Sequence, residues 1–412
     1  MKMSRREYLV AAGALPIAAG SLALVRPALA AEAPSLPDKA SFVPTDLAYL
    51  DSGSQHPMSI GAKAAVDTYL AKRTLDPAAA AYELDEDGLL AKFARMINAD
   101  VDEVTYIQST TTGEQMVLRA LDIPAGGGHI VTDTLHFFGS LPLYEEMARQ
   151  GMKVSWLKPV DGRIRIEDMR AAVTRGTRLV ALSLVSTING FEHDLKAVCD
   201  IAHASGALVY ADIIHAAGAV PVDVKACGVD FAACASYKWL MGDFGLGFLF
   251  VRKGVLPRLK RTNYGYYGMS EFKTHIYPLD PPGDAIADYA FRPDATGAFA
   301  LGTHSHMVIA QLHHSLDYIQ QLGVPAIQAH AQTIVERLKR ELPRRGYPLM
   351  TPAESRAPIV TCMLADARKA LAEPMKAAKI RLTLSANRFR LTPSVFNDHD
   401  DVDRVLAALP KA

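Results

Sequence analysis

Short, uninterrupted apolar runs alternate with helix-length amphipathic stretches along most of the chain. An apolar run without polar alternation is typical of a strand that is covered on both faces. Alternating strands and helices predict an α/β fold with a mainly parallel sheet and helices on both of its faces. The predicted strands are Val104–Gln108, His129–Thr132, Lys153–Leu157, Leu179–Val185, Ala207–Ala211, Phe231–Ala235 and Gly247–Val251.

The pattern changes after the last of these strands. Residues Pro278–Ala298 are rich in Pro, Gly and Asp and predict a long loop. Helical patterns over His306–Leu322 and Ala326–Arg345 then lead into a smaller α/β segment. We therefore predict an N-terminal arm at 31–60, a large domain at 61–295 and a small C-terminal domain at 296–412.

The first thirty residues have the pattern of an export signal. The run Ser4–Leu9 (SRREYL) matches the twin-arginine pattern, and an apolar stretch leads to the small-x-small cleavage site Ala28–Ala30. A membrane anchor is the alternative, but the mostly apolar stretch Leu9–Val25 is only 17 residues long, contains three helix breakers and is short for a span. We expect the twin-arginine translocase to export the protein folded to the periplasm and residues 1–30 to be removed. Export of a folded chain is compatible with a cofactor that is bound in the cytoplasm.

Composition narrows the class of protein. The 44 basic and 44 acidic residues give zero net charge, which argues against a nucleic-acid binder driven by bulk charge. Half of the residues are hydrophobic, so the chain can bury a large core. Cys199, Cys227, Cys234 and Cys362 form no CxxC pair or metal spacing, which argues against a disulfide scaffold. A globular enzyme is the expected class.

Ligand groups in open parallel sheets collect where the strands end. The run Ser109–Gly113 (STTTG) follows the first predicted strand and opens the helical pattern Glu114–Leu121. Hydroxyl groups and free N–H groups at a helix N-terminus can bind phosphate, and ordinary helix capping is the alternative.

Three further residues with reactive side chains follow predicted strands. Asp212 ends one strand, and a buried carboxylate needs a partner such as a protonated pyridine nitrogen or a structural Arg or Lys. Lys238 follows the next strand among aromatic residues, which suits it to form a Schiff base, although a surface lysine is the commoner case. His136 could stack on a heteroaromatic ring or cap a helix.

Taken together, these features are typical of a pyridoxal-phosphate site. The combination comprises a phosphate seat, a ring-stacking side chain, a buried acid and an amine on one sheet. Asp212 would keep the cofactor's ring nitrogen protonated, and Lys238 would carry the aldehyde and then transfer the proton. The predicted catalytic residues are Lys238, Asp212 and His136.

The chain from about Tyr49 to Leu409 resembles the class V aminotransferase family of fold-type I pyridoxal-phosphate enzymes. This family includes cysteine desulfurases, kynureninase and isopenicillin N epimerase-like proteins. The resemblance implies a homodimer with shared active sites. The roles it implies are phosphate binding by Thr110, Thr111 and Tyr237, ring stacking by His136, ring-nitrogen contact by Asp212, contact near the phenolic oxygen by His215, a Schiff-base segment Ser236–Lys238, contact with the partner's phosphate by Thr303, and binding of the substrate carboxylate by Arg390.

The sequence departs from the family pattern at two places. Thr187 stands where many members have an Asn that bonds the phenolic oxygen, and Asn189 lies two residues further on. The segment Ile380–Arg388 contains no cysteine, whereas desulfurases need a loop thiolate there to take sulfur. Cys362 lies in an apolar run and is better explained as a packed strand residue. Cysteine desulfurase is therefore disfavoured.

The resemblance implies an enzyme that acts at the α-carbon of an amino acid or a peptide-borne amino acid, with transamination as the default. Epimerisation and C–S or C–C lysis are alternatives. An export signal on this family also resembles the periplasmic enzymes that tailor pyoverdine siderophores. A periplasmic ligand-binding protein without turnover is the alternative from another class. The histidines between 304 and 314 have no acidic residue among them, so we expect no metal site.

Overall fold

The computed structural model describes residues 35–410, so the predicted export signal lies outside the described residues. Within this range no helix combines the length and hydropathy needed to cross a membrane. The strands are β1 Ala48–Tyr49, β2 Val104–Ile107, β3 His129–Asp133, β4 Lys153–Leu157, β5 Thr177–Ser183, β6 Leu208–Asp212, β7 Phe231–Ala235, β8 Gly247–Val251, β9 Met269–Thr274, β10 Ala287–Phe291, β11 Val360–Met363, β12 Ile380–Arg381, β13 Thr383–Leu384 and β14 Arg388–Leu391.

Of the predicted helices, His306–Leu322 has the predicted bounds, the next begins and ends within two residues of the predicted ones, and the helix after β2 begins four residues earlier, at Thr110. The α-helices are α1 Ile60–Leu75, α2 Pro77–Tyr82, α3 Glu86–Met96, α4 Thr110–Ala120, α5 Leu141–Arg149, α6 Ile166–Ala172, α7 Leu195–Ala204, α8 Val224–Cys227, α9 Ala295–Phe299, α10 His306–Leu322, α11 Val324–Arg344, α12 Ala367–Ala377 and α13 His399–Ala408.

All seven predicted strands lie in one sheet, in the order β2-β8-β7-β6-β5-β3-β4. Only β8 runs against its neighbours, so the other six strands share a direction. Separate apolar clusters cover the two faces of the sheet, which explains the uninterrupted apolar runs in the central strands. The α/β fold class is confirmed, and the carboxyl ends of six strands meet at one edge.

A third apolar cluster forms the core of the C-terminal part of the chain. It contains the sheet β11-β14-β13, and β1 pairs with β12 beside it, so the N-terminal residues Ala48 and Leu50 pack here. Helix α10 packs on the large-sheet cluster, whereas α11 contributes Ile334, Val335 and Leu338 to the third cluster. Helix α11 also contributes Ile327 to the large-sheet cluster, so it contacts both cores, and the predicted domain boundary at 296 stays a prediction.

The predicted long loop at 278–298 is wrong in part. It contains β10, which pairs antiparallel with β9 as an exposed hairpin, and helix α9, which Asp294 caps by accepting from Gly297 N. Most side chains of the hairpin strands are exposed or half-buried. Since no single face of the hairpin is buried, the sequence lacks the period of two that marks a half-buried strand.

Candidate active site

Lys238 lies in the turn after β7, at the edge where the parallel strands end. Its Nζ is 2.9 Å from His215 Nε2, and the side chain is 6% exposed. Burial lowers the pKa of Lys238 to about 8, although the Asp212 carboxylate acts in the opposite direction. At pH 7 roughly a tenth of the Lys238 side chains are therefore unprotonated amines, far more than for an ordinary lysine.

Helix α10 holds the turn that carries Lys238. Met241 adopts a left-handed conformation with φ of 56°, and its N–H donates to Lys238 O at 2.9 Å. The carbonyl oxygen of Met241 accepts from Gln311 Nε2 and Ser315 Oγ, each at 2.9 Å. A non-glycine residue in this conformation costs about 1 kcal/mol or more, so the surrounding contacts have to maintain it. The lysine is thus fixed by both the sheet and α10.

Asp212 ends β6 with its carboxylate buried. Its Oδ1 accepts from Ile214 N at 2.9 Å. Burial raises the pKa of Asp212, whereas the Ile214 hydrogen bond and the charges of His136 and Lys238 lower it. Among residues 35–410 it forms no ion pair within 4.0 Å. A bound cation next to this carboxylate would be stabilised.

His136 lies after β3 and is completely buried, with both ring nitrogens bonded. Nε2 is 3.1 Å from Glu114 Oε1, and Nδ1 is 2.8 Å from Ser183 Oγ. Glu114 also accepts from Tyr144 Oη and Ser140 Oγ, each at 2.6 Å. Burial lowers the pKa of His136, but the charge and hydrogen bond of Glu114 raise it overall. Both shifts favour the charged form of each side chain, so the contact favours an imidazolium–carboxylate ion pair.

Sequence reasoning missed Glu114, which it treated only as the start of a helical pattern. The available signal was its position on the face of α4 that also carries Val117 and Leu118, all of which are buried. A carboxylate on a buried face needs several donors, and His136, Ser140 and Tyr144 supply them from 22 to 30 residues further along the chain.

Helix α4 starts at the predicted phosphate seat. Ser109 Oγ caps it by accepting from Thr112 N at 3.1 Å, and Thr110 Oγ1 accepts from Ala235 N at 3.0 Å. A Cβ on Gly113 would lie 2.8 Å from Ile107 Cδ1, so glycine permits this close approach of helix and sheet. Helix capping is therefore present, while phosphate binding by Thr110 and Thr111 stays a prediction.

The remaining residues of the predicted cofactor set differ in their surroundings. Ser236 Oγ lies 2.8 Å from the carbonyl oxygens of both Asp243 and Leu246 and closes the turn after β7. The Tyr237 ring packs on Phe244 with centroids 4.5 Å apart. Thr303 is exposed in the loop between α9 and α10, and its role toward a partner subunit stays a prediction.

Arg390 on β14 faces the same region from the C-terminal domain and is 8% exposed. Its Nη1 donates to Thr187 O at 3.0 Å and also to Thr187 Oγ1, and its Nη2 donates to Ser54 Oγ and Thr383 Oγ1. Both of these hydroxyl groups donate in turn to Asp51. Arg390 Nε is buried and has no hydrogen-bond partner among residues 35–410. A guanidinium with one unpaired buried donor is suited to bind an anion.

Thr187 and Asn189 have separate tasks. Thr187 contacts Arg390, whereas Asn189 Nδ2 donates to Gly162 O at 2.7 Å and supports a surface turn. Sequence reasoning missed the three residues that hold Arg390 from the other side, Asp51, Ser54 and Thr383. Two of them lie more than 300 residues from Arg390, so only the pairing of β1 with the C-terminal domain brings them close.

The four cysteines either are buried or lie away from Lys238. Cys362 is fully buried on β11, and burial raises its pKa to about 12. Cys227 is half-buried in α8, which precedes β7 and so lies toward the opposite edge of the sheet. Among residues 35–410 no group of three or more His, Cys, Asp or Glu side chains could hold a metal ion.

Comparison with known proteins places these residues in a family context. Residues 80–380 match the family Aminotransferase class-V. A probable cysteine desulfurase from Methanothermobacter thermautotrophicus is 28% identical over 303 residues, which cover 71% of this chain and 72% of the relative. The uncharacterised aminotransferase YcbU from Bacillus subtilis is 26% identical, with 76% of this chain and 79% of the relative covered.

Solved structures share the fold. The cystine C-S lyase C-DES, in complex with its reaction product cysteine persulfide, matches with a TM-score of 0.75 and 20% identity. The match covers 88% of this chain and 96% of the lyase. A mutant of C-DES has glycine covalently linked to its PLP cofactor.

Proposed function

We propose, because the chain belongs to the class-V aminotransferase family, that it binds pyridoxal phosphate at Lys238 and acts at the α-carbon of an amino acid. The observation that carries this proposal is the buried Lys238 at the end of β7, an amine 2.9 Å from His215 and partly unprotonated near neutral pH. Structural lysines are normally kept charged by an acidic partner, which this lysine lacks within salt-bridge distance among residues 35–410.

The residues present fit the cofactor. Lys238 supplies an amine for the aldehyde, and the buried Asp212 carboxylate is suited to a protonated ring nitrogen. The first turn of α4 offers N–H groups and the Thr111 hydroxyl to a phosphate. His136 is held rigidly by Glu114 and Ser183, as a ring-stacking side chain has to be.

The cofactor, when bound, supplies an electron sink that allows a bond at the substrate α-carbon to break. Arg390 binds the substrate carboxylate through its guanidinium, with Nε as the donor that lacks a partner in the chain. Lys238 accepts the α-proton at Nζ as a general base and can return it to a different carbon. Asp212 keeps its negative charge beside the ring, so that positive charge there is stabilised throughout.

Transamination is the outcome we propose for this chemistry. The names of the relatives favour a second candidate, elimination at a C–S bond. A desulfurase that takes sulfur on its own loop thiol does not fit, because 380–388 contains no cysteine and Cys362 is buried. An elimination that releases the sulfur compound into solution needs no protein thiol, so it remains compatible with these residues.

The experiment that separates the candidates is incubation of the purified protein with a panel of amino acids, including cysteine and cystine. Transamination predicts accumulation of the pyridoxamine form of the cofactor together with a keto acid, whereas elimination predicts sulfide or persulfide with pyruvate and ammonia. Absence of any pyridoxamine form with every donor would contradict transamination. Absence of turnover with every donor would favour a ligand-binding protein.

We further propose that the protein works in the periplasm as a homodimer. The twin-arginine pattern at Ser4–Leu9 supports export, and the exposed Thr303 in the family's Gly-Thr position supports a partner-facing contact. Cell fractionation of the wild type and of a variant with both Arg5→Lys and Arg6→Lys tests the first point, since the variant should stay in the cytoplasm. Light scattering of the purified protein tests the second.

A further inference from the structure

Lys238 and Trp239 contact the same histidine from two sides. Lys238 Nζ is 2.9 Å from His215 Nε2, and Trp239 Nε1 donates to His215 Nδ1 at 3.4 Å. All three side chains are more than nine-tenths buried. Both ring nitrogens of His215 therefore form hydrogen bonds with side chains whose ability to donate or accept a proton is known.

The hydrogen-bonding chemistry of the three groups fixes where the protons lie. An indole N–H can only donate, so His215 Nδ1 has to accept and carries no proton. Burial, with the nearby charges of Lys238 and Arg390, holds the pKa of His215 well below its ordinary value, so the ring is neutral. The single proton of the ring is then on Nε2 and points to Lys238. Only an amine without the extra proton has a lone pair to accept it.

We propose that Trp239 is a positioning residue that fixes the tautomer of His215 and thereby stabilises the unprotonated form of the Lys238 amine. The unprotonated amine is the form that attacks an aldehyde. The purpose of the amine rests on the proposed function, whereas the tautomer and the protonation of Lys238 are properties of the chain alone.

The backbone around Trp239 keeps this geometry. Gly218 has φ of 90°, and a Cβ there would lie only 2.5 Å from Trp239 O, so the two loops pack in direct backbone contact. Other groups also act on Lys238, and they are unchanged when Trp239 is replaced. The charged and titratable groups that face Lys238 are Asp212 on β6, His215 after β6, Cys234 on β7, Arg390 on β14 and Asp51 after β1.

The test variant is Trp239→Phe, which keeps an aromatic ring but removes the N–H donor. His215 Nδ1 can then hold the proton, and Nε2 becomes an acceptor that stabilises the Lys238 ammonium. We expect the pKa of Lys238 to rise from about 8 by about one pH unit. Labelling of Lys238 by trinitrobenzenesulfonate at pH 7 should slow about tenfold in the cofactor-free full chain. Trp156→Phe, at the other tryptophan of the chain, should change neither value.

A second measurement needs no substitution of Trp239. Nitrogen-15 NMR of the wild-type protein, with the His215 signals assigned by their loss in His215→Gln, should show Nε2 protonated and Nδ1 unprotonated. A proton on Nδ1 would overturn the proposal, and so would an unchanged Lys238 pKa in a folded Trp239→Phe variant. If the tautomer is as stated but the protein never takes up pyridoxal phosphate, the proposed function fails and the tautomer assignment stands.

Discussion

Two buried histidines at the same edge of the sheet have pKa values that are shifted in opposite directions. His136 is paired with Glu114, and its pKa is raised in spite of complete burial. His215 lies between Lys238 and Trp239, and burial with two nearby cations holds its pKa well below the ordinary value. We call the first group the charged pair and the second the neutral relay. Burial is nearly equal in both, so the bonded partner decides the charge.

The difference assigns separate tasks to the two histidines. Both nitrogens of His136 are committed to Glu114 and Ser183, which leaves the ring faces as the part that can contact a ligand. His215 instead directs one nitrogen at the reactive amine. Under the proposed function, proton transfer at a substrate would involve the neutral relay, and support of a flat ring would involve the charged pair.

The largest expected effect comes from removing the amine of the neutral relay. Lys238→Ala should abolish covalent cofactor attachment and lower turnover by about 10³-fold, because nucleophile and general base are lost together. Lys253→Ala, at a surface lysine paired with Asp102, is the control and should leave turnover unchanged. A variant at Lys238 that keeps the visible absorbance band and its activity would contradict the assignment.

Glu114→Gln removes the negative charge of the charged pair. The variant keeps the shape of the side chain but leaves His136 without its counter-charge, and we expect a loss of about 3 kcal/mol in the free energy of unfolding. Urea unfolding measures this. The surface ion pair of Glu146 with Arg149 provides the control, since Glu146→Gln should cost less than about 1 kcal/mol.

The pH dependence of stability sharpens the same comparison. Because the pKa of His136 is raised above 6.5, the stability that its protonation contributes is fully present below pH 6.5. It is lost as the pH rises through the pKa of the folded state. Because the pKa of Glu114 is lowered below 4.5, its contribution is complete above pH 4.5 and is lost as the pH falls through the folded-state value. Glu114→Gln should flatten both limbs, and equal slopes in the two proteins would rule out the ion pair.

Arg390→Lys tests whether the positive charge of Arg390 is enough to bind the substrate or whether its planar guanidinium is needed. The lysine keeps a cation near His215, so the neutral relay should stay neutral, but it loses the planar fork that binds a carboxylate. We expect substrate KM to rise about 30-fold, with a much smaller change in kcat. Arg388→Lys, two residues away on the same strand, is the control. An unchanged KM in the Arg390 variant would refute carboxylate binding by this residue.

Thr187→Val should have the smallest effect. It removes one hydroxyl acceptor of Arg390 and leaves the charge in place, so substrate affinity should fall about fivefold. Thr132→Val removes a buried hydroxyl that has no partner among residues 35–410, and substrate affinity should not change. Titration of the cofactor absorbance with substrate measures both, and equal affinities in the two variants would contradict the contact.

The sheet could be predicted from the sequence because burial of both faces leaves a local signal. Val180 and Phe231, for example, lie in apolar runs with no polar alternation and occupy central strands. The reactive residues Lys238 and Asp212 could be found because such strands end at one edge. The hairpin β9–β10 could not, since it has no buried face to impose a period.

The hydrogen-bond partners of the predicted residues could not be predicted from the sequence. Glu114 contacts His136 across 22 residues and Ser54 contacts Arg390 across 336, so no local pattern links them. Trp239 is adjacent to Lys238 in sequence, but only the fold shows that it binds the second nitrogen of His215. A sequence identifies reactive side chains, whereas their protonation depends on neighbours that the fold brings together.

The most direct test of the central claim is borohydride reduction of freshly purified protein, followed by peptide mass spectrometry. We expect a pyridoxyl group on the peptide that contains Lys238 and on no other lysine. A protein that remains unmodified after incubation with pyridoxal phosphate, or one that carries the group at a different lysine, would contradict the account.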